Sequence, residues 1–178
     1  MVFAYDTEEA LRAAVVLANT AVPPDTLTTL EELDDFYARF GYTGRRDRTP
    51  AELASLRAAR PLLRELLTAD RDAAVELVND MLAEAQAVPR LVRHEEYDWH
   101  IHATDNERPL ATRIIVETAM AMIDVIRADE MSRLDICADA DCGNVVLDLS
   151  RNRSKRFCSV ACGNRNAVAA YRQRRRAD

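Results

Sequence analysis

Apolar residues recur at helical spacing through most of the first 130 positions. Leu11, Ala14, Val15, Ala18 and Val22 follow Thr7, an N-cap residue with acidic neighbours, so the pattern predicts a helix over about 7–20 that Pro23-Pro24 ends. A second helix, about 28–40, places Leu30, Leu33 and Tyr37 on one face and stops at Gly41, with Gly44, Arg45, Arg46 and Arg48 in the loop beyond. Thr49-Pro50 with Glu52 starts a third, whose stripe of Leu53, Leu56, Ala59, Leu63 and Leu66 is interrupted by Pro61, a residue expected to kink or split it. Asp70 or Asp72 opens a fourth, burying Val75, Leu77, Val78, Met81 and Leu82 and ending near 86.

The period then changes. From Val88 to Thr104 β-branched and aromatic residues alternate with polar ones around Glu95-Glu96, which predicts a short hairpin. Leu110, Ile114, Ile115, Thr118, Met122, Ile123 and Ile126 follow Pro109 and mark a long, central helix. Ser132 to Ile136 contains neither Gly nor Pro, so whatever follows should be joined stiffly to this helical part.

Composition agrees with a packed protein: 178 residues, 48% apolar, with four Gly and 6% aromatic. That length accommodates one full domain and a small module, with a core that needs no disulfides. No run approaches the ~18 uncharged apolar residues of a membrane span, and Met1 to Thr20 carries Asp6, Glu8, Glu9 and Arg12 where a secretion signal is apolar. A cytoplasmic location is expected. The net charge of −6 conceals a division: residues 150–178 hold nine basic groups against Asp178, a net +8, leaving −14 on residues 1–149. The basic end is drawn to polyanions that the acidic body repels. No catalytic triad order, phosphate-cradling Gly-rich loop or open zinc motif stands out, so the chain is not expected to be an enzyme.

All four cysteines lie near that basic end: Cys137, Cys142, Cys158 and Cys162, spaced C-x4-C-x15-C-x3-C. Two close pairs joined by a short span suit a tetrahedral zinc ion, the alternative being two disulfides, which a reducing compartment disfavours. Cys142-Gly143-Asn144 makes a knuckle, Val145, Val146, Leu147 and Leu149 a strand behind it, and Ser159 caps a helix that carries Cys162. The arrangement is treble-clef-like. Four thiolates leave no open position, so the single zinc is structural, and its loss should unfold the module.

On a helical wheel with Arg165 at zero, Arg172 and Arg176 fall about 20° to either side, and Asn166 and Gln173 lie about 80–100° away. Val160, Val168 and Tyr171 are expected to pack inward on the hairpin and the metal. The outward residues suit phosphates and purine edges, and Arg151, Arg153, Lys155 and Arg156 add phosphate contacts.

With Phe157-Cys158-Ser159 and Cys162-Gly163-Asn164-Arg165 in place, Arg133 to Arg176 resembles the CGNR zinc-finger family, as do Asp148-Leu149-Ser150-Arg151 and the ending Ala170-Tyr171-Arg172-Gln173-Arg174. Residues 1–132 resemble the helical ABATE domain more diffusely, through Leu17-Ala18-Asn19-Thr20, Leu56-Arg57-Ala58-Ala59-Arg60 and the Trp99 to Thr104 strand. The resemblance implies a bacterial, stress-related transcription regulator.

The expected architecture is therefore mainly α: a helical domain with a short hairpin over 1–132 and a four-cysteine zinc module over 133–178. The expected role is a DNA-binding transcription regulator acting as a homodimer, since one small module offers few base contacts. A protein-interaction module docking an acidic partner and an RNA-binding protein are the alternatives, the latter disfavoured because Phe157 and Tyr171 are expected to be buried. In the hairpin His100 and His102 share a face opposite Trp99. These three residues are candidates for an effector pocket, or the imidazoles for a second metal site with His94 and Glu95, Glu96 or Asp98.

Overall fold

A computed structural model of the chain describes residues 2–94 and 97–177, with side chains throughout except at 94, 97, 98, 176 and 177. Helices α1 (Tyr5–Asn19), α2 (Leu30–Arg39), α3 (Pro50–Thr68) and α4 (Arg71–Glu84) precede a hairpin of β1 (Arg90–His94) and β2 (Tyr97–His102). Then come α5 (Leu110–Arg127), a 3-10 turn (Met131–Arg133), a second hairpin of β3 (Leu134–Ile136) and β4 (Val145–Leu147), and α6 (Val160–Ala177). The mainly α expectation is met, with both hairpins antiparallel.

Helix starts follow local chemistry. Thr29 and Glu32 form a reciprocal capping box, Thr49 accepts from the Glu52 amide with Pro50 in the first turn, and Asp70 accepts from the Ala73 amide. Thr7 is a correction: α1 begins two residues earlier, and the Thr7 hydroxyl lies inside the helix, donating to Asp124 Oδ2 on α5 at 2.6 Å. Pro61 is a second. α3 runs through it unbroken, and the Arg57 carbonyl that proline leaves without its helical donor accepts instead from Arg60 Nε at 3.3 Å. The Arg60 guanidinium continues to Asp25 at 2.8 and 3.0 Å, so the repair is itself held in place.

α5 is the central helix, packed against α1, α3 and α4, with Leu110, Ile114, Met122 and Val125 buried among Leu11, Leu17, Leu56, Leu63 and Leu66. The loop before α3 is pinned to the turn before α5. Arg113 donates to the carbonyls of Thr43, Arg45 and Arg108, and Gly44 (φ +77°) comes so close that a Cβ would sit 2.6 Å from the Asn106 carbonyl oxygen.

The second hairpin does not stand apart from this body. Leu134, Val145 and Leu147 are part of the main core, whereas Val146, on the other face of β4, joins Cys137 and Cys162 in a small core of its own. Asn19 on α1 bonds both backbone groups of Val145, and Arg64 Nη2 on α3 donates to the Gly143 carbonyl at 2.6 Å. The stiff junction thus has a physical basis: one face of the hairpin is body, the other is module.

Candidate metal centre and basic helix

The four cysteine sulfurs are brought together from three places in the chain. Cys137 follows β3, Cys142 ends the turn in which its amide donates to the Asp139 carbonyl at 2.9 Å, and Cys158 and Cys162 flank the start of α6. Ser159 caps that start, accepting from the Cys162 amide at 3.2 Å. All four Sγ atoms lie within 4.8 Å of one another, with Cys142–Cys158 and Cys158–Cys162 both at 3.6 Å. A tetrahedral zinc with bonds of about 2.3 Å places its sulfurs about 3.8 Å apart. The cluster fits that ion, and its separations are far above the ~2.05 Å of a disulfide; all four thiols are free. The protein is a zinc protein with one structural ion, which Cys137, Cys142, Cys158 and Cys162 are positioned to hold.

Further side chains reach the sulfurs that spacing alone does not reveal. Asn144 Nδ2 points at Cys158 Sγ from 3.4 Å, and Arg165 Nη2 at Cys162 Sγ from 3.1 Å. Arg165 also pairs with Asp139, which is buried and held below the ordinary carboxylate range, against its own desolvation, by the Asp141 amide and by Arg165. Nearby, Arg133 donates to the carbonyls of Asp148 and Ser150, while Asp148 accepts from the amides of Ser150 and Lys155 at 2.8 and 2.7 Å. This pair shapes the basic loop between β4 and α6.

The basic residues differ in their freedom. Arg151, Arg156, Arg172 and Gln173 are exposed, as are Arg174 and Arg175. Arg153 is tied to Glu130 at 2.8 Å, Lys155 Nζ donates to the Leu147 carbonyl at 3.1 Å, and Asn166 donates back to the Cys162 carbonyl at 3.0 Å. The Arg176 side chain lies outside the described residues. The inward packing expected of Val160, Val168 and Tyr171 is not found: they are 80%, 47% and 54% exposed. Two reasons account for it. The apolar face of β3–β4 is already occupied by the body, and from Ala167 onward α6 runs past the surface that could cover it. From Ala167 to Arg175 every position of α6 is exposed.

In the first hairpin His100 and His102 do share a face, their Nε2 atoms 3.0 Å apart. Trp99 turns the other way, 64% exposed beside Leu91 and Ile101, so the strand is not half-buried as its alternation suggested. A cavity of about 200 Å3 adjoins His102, lined by Arg90, Val92, Thr104, Asp105 and Asn106, and neither Trp99 nor His100 lines it. Glu95 and Glu96 lie outside the described residues, as do the side chains of His94 and Asp98, and with them the second metal site suggested for this hairpin.

An acidic helical body fused through a hairpin to a four-thiolate zinc centre with a projecting basic helix defines the class, a zinc-containing helical protein. Residues 11–129 match the ABATE family, described as a putative stress-induced transcription regulator, and residues 133–175 match the CGNR zinc finger. The chain belongs to the ABATE family and carries a CGNR zinc finger after that domain. No curated protein matches it. No helix among the described residues is long and apolar enough to cross a membrane.

Proposed function

We propose that the protein is a transcription regulator that holds double-stranded DNA with α6 and the loop before it. The carrying observation is the freedom of α6: nine consecutive exposed positions, 167–175, include Arg172, Gln173, Arg174 and Arg175, at the basic end of a chain whose remainder carries −14. An 18-residue helix is about 27 Å long and about 10–12 Å across, which suits a major groove about 12 Å wide. Arg151 and Arg156 on the loop reach phosphates, and Arg172 and Gln173 lie where base edges are read. Arg153, Lys155, Arg165 and Asn166 are engaged in intramolecular contacts and supply positive potential and helix placement; Arg176 adds a further basic residue to this end of the sequence.

One such helix covers few base pairs, so the working form is a homodimer on paired half-sites. A regulatory signal enters through the first hairpin, where an open depression of about 200 Å3 lies beside His102. The exposure of Tyr171 favours a second reading, RNA, because a free aromatic ring stacks on an unpaired base.

The test is the salt dependence of binding by the zinc-loaded full chain to random duplex DNA, with single-stranded RNA and an acidic peptide as competitors. Duplex binding that weakens steeply as salt rises supports the reading. Preference for RNA, or no duplex binding in dilute buffer, sinks it.

A further inference from the structure

Four thiolates around one divalent ion leave the centre with two surplus negative charges, and the fold places a carboxylate beside it. Asp139 is 5% exposed, its backbone carbonyl closes the turn before Cys142, and its Oδ1 accepts from the Asp141 amide at 3.3 Å. Left alone, such a carboxylate would repel the neighbouring Cys162 thiolate. Arg165 reaches both. Its Nε donates to Asp139 Oδ2 at 2.9 Å, its Nη2 lies 2.6 Å from the same oxygen as an ion pair, and that Nη2 donates to Cys162 Sγ at 3.1 Å. Cys162 and Arg165 are three positions apart on α6, so the two side chains lie on one face.

We propose that Arg165 is the outer clasp of the zinc centre, bridging the Cys162 thiolate to Asp139, and that it sets how tightly the ion is retained. The guanidinium suits this task because its planar fork serves two anions at once in a fixed geometry, which a lysine ammonium on a flexible stem does not. Asp139 is the positioning partner: it holds the fork so that one N–H faces sulfur. Asn144 gives Cys158 a comparable donor from the knuckle, so both thiolates of the second pair carry a side-chain donor, while in the first pair Cys137 accepts from the Cys158 amide at 3.4 Å. Groups of this kind typically change metal affinity by about 10–100-fold when removed. The arginine of the Cys162-Gly163-Asn164-Arg165 segment therefore serves the metal, and the base-reading positions of α6 begin further along the helix. This inference depends on the zinc centre and not on nucleic-acid binding.

The experiment follows transfer of zinc from the loaded full chain to a chromophoric chelator, with the helical circular dichroism of each loaded variant confirming its fold. Arg165→Met should release zinc about 10–100-fold faster than the unmodified chain, Arg165→Lys should fall between, and Arg172→Met should release it at the original rate. Because the clasp offsets the repulsion between two neighbouring anions, the double variant Asp139→Asn/Arg165→Met should retain zinc better than Arg165→Met alone. Should Arg165→Met not fold, Arg165→Lys against the unmodified chain carries the comparison, with Arg172→Lys as its control. Release from Arg165→Met or Arg165→Lys at the original rate overturns the proposal. So does equal acceleration by Arg172→Met, which would mean that any arginine on α6 contributes through general charge, and so does a double variant that loses zinc as fast as Arg165→Met.

Discussion

Asn19 holds Val145 by both of its amide atoms: Nδ2 donates to the Val145 carbonyl at 2.9 Å, and Oδ1 accepts from the Val145 amide at 2.7 Å. The pair joins α1 to the strand behind the zinc knuckle. Asn19→Ala leaves two backbone groups of a buried strand without partners, so we expect a loss of about 2–4 kcal/mol, read from urea denaturation of the zinc-loaded chain. A change below about 0.5 kcal/mol would mean that water replaces both bonds.

Removing the metal should affect the whole molecule, not only its basic end. Leu134, Val145 and Leu147 lie in the body's core, on the hairpin whose other face meets the cysteines. Chelation should therefore lower the melting temperature of α1–α5 and fray α6, in place of simply detaching a tail. The measurement is thermal unfolding followed by far-ultraviolet circular dichroism, with and without chelator. An unchanged body transition would contradict the shared core.

Stability should also depend on Glu117. Burial pushes its carboxyl up to about 7 from an ordinary 4.5, against the opposing pull of Arg113. Between those values the folded state binds more protons than the unfolded one, so stability is full below about 4.5 and falls as pH rises toward 7. The loss attributable to this group is of the order of 3 kcal/mol. Glu117→Gln should flatten that slope and raise stability at pH 8. Parallel pH profiles for variant and parent would refute the assignment.

Among the basic residues, freedom should predict importance for duplex binding. Arg172→Ala and Arg175→Ala should each weaken it and reduce the salt slope by about 1 where a phosphate contact is lost. Arg153→Ala, whose guanidinium is already paired with Glu130, should change the slope less. Fluorescence anisotropy over a salt series with zinc content held at one per chain makes the comparison, and a larger effect from Arg153 would reverse the assignment.

Rules of short range made much of this protein legible from its residues alone. Thr29 with Glu32, Thr49 with Pro50, and Asp70 announce helices because a cap acts within three positions, and Cys137, Cys142, Cys158 and Cys162 announce a metal because ligand pairs need close spacing. The pairing of His100 with His102 follows from strand alternation, and the split of charge from counting. What tertiary structure decided has no local periodicity. Asn19 meets Val145 across 126 positions, Arg60 mends the gap at Pro61 only because Asp25 holds its other end, and Arg165 turns to Asp139 because the knuckle brings that carboxylate beside the thiolate. Val160, Val168 and Tyr171 are apolar enough to suggest burial, yet a side chain is buried only where a surface remains to cover it, and the body had already taken the hairpin's apolar face.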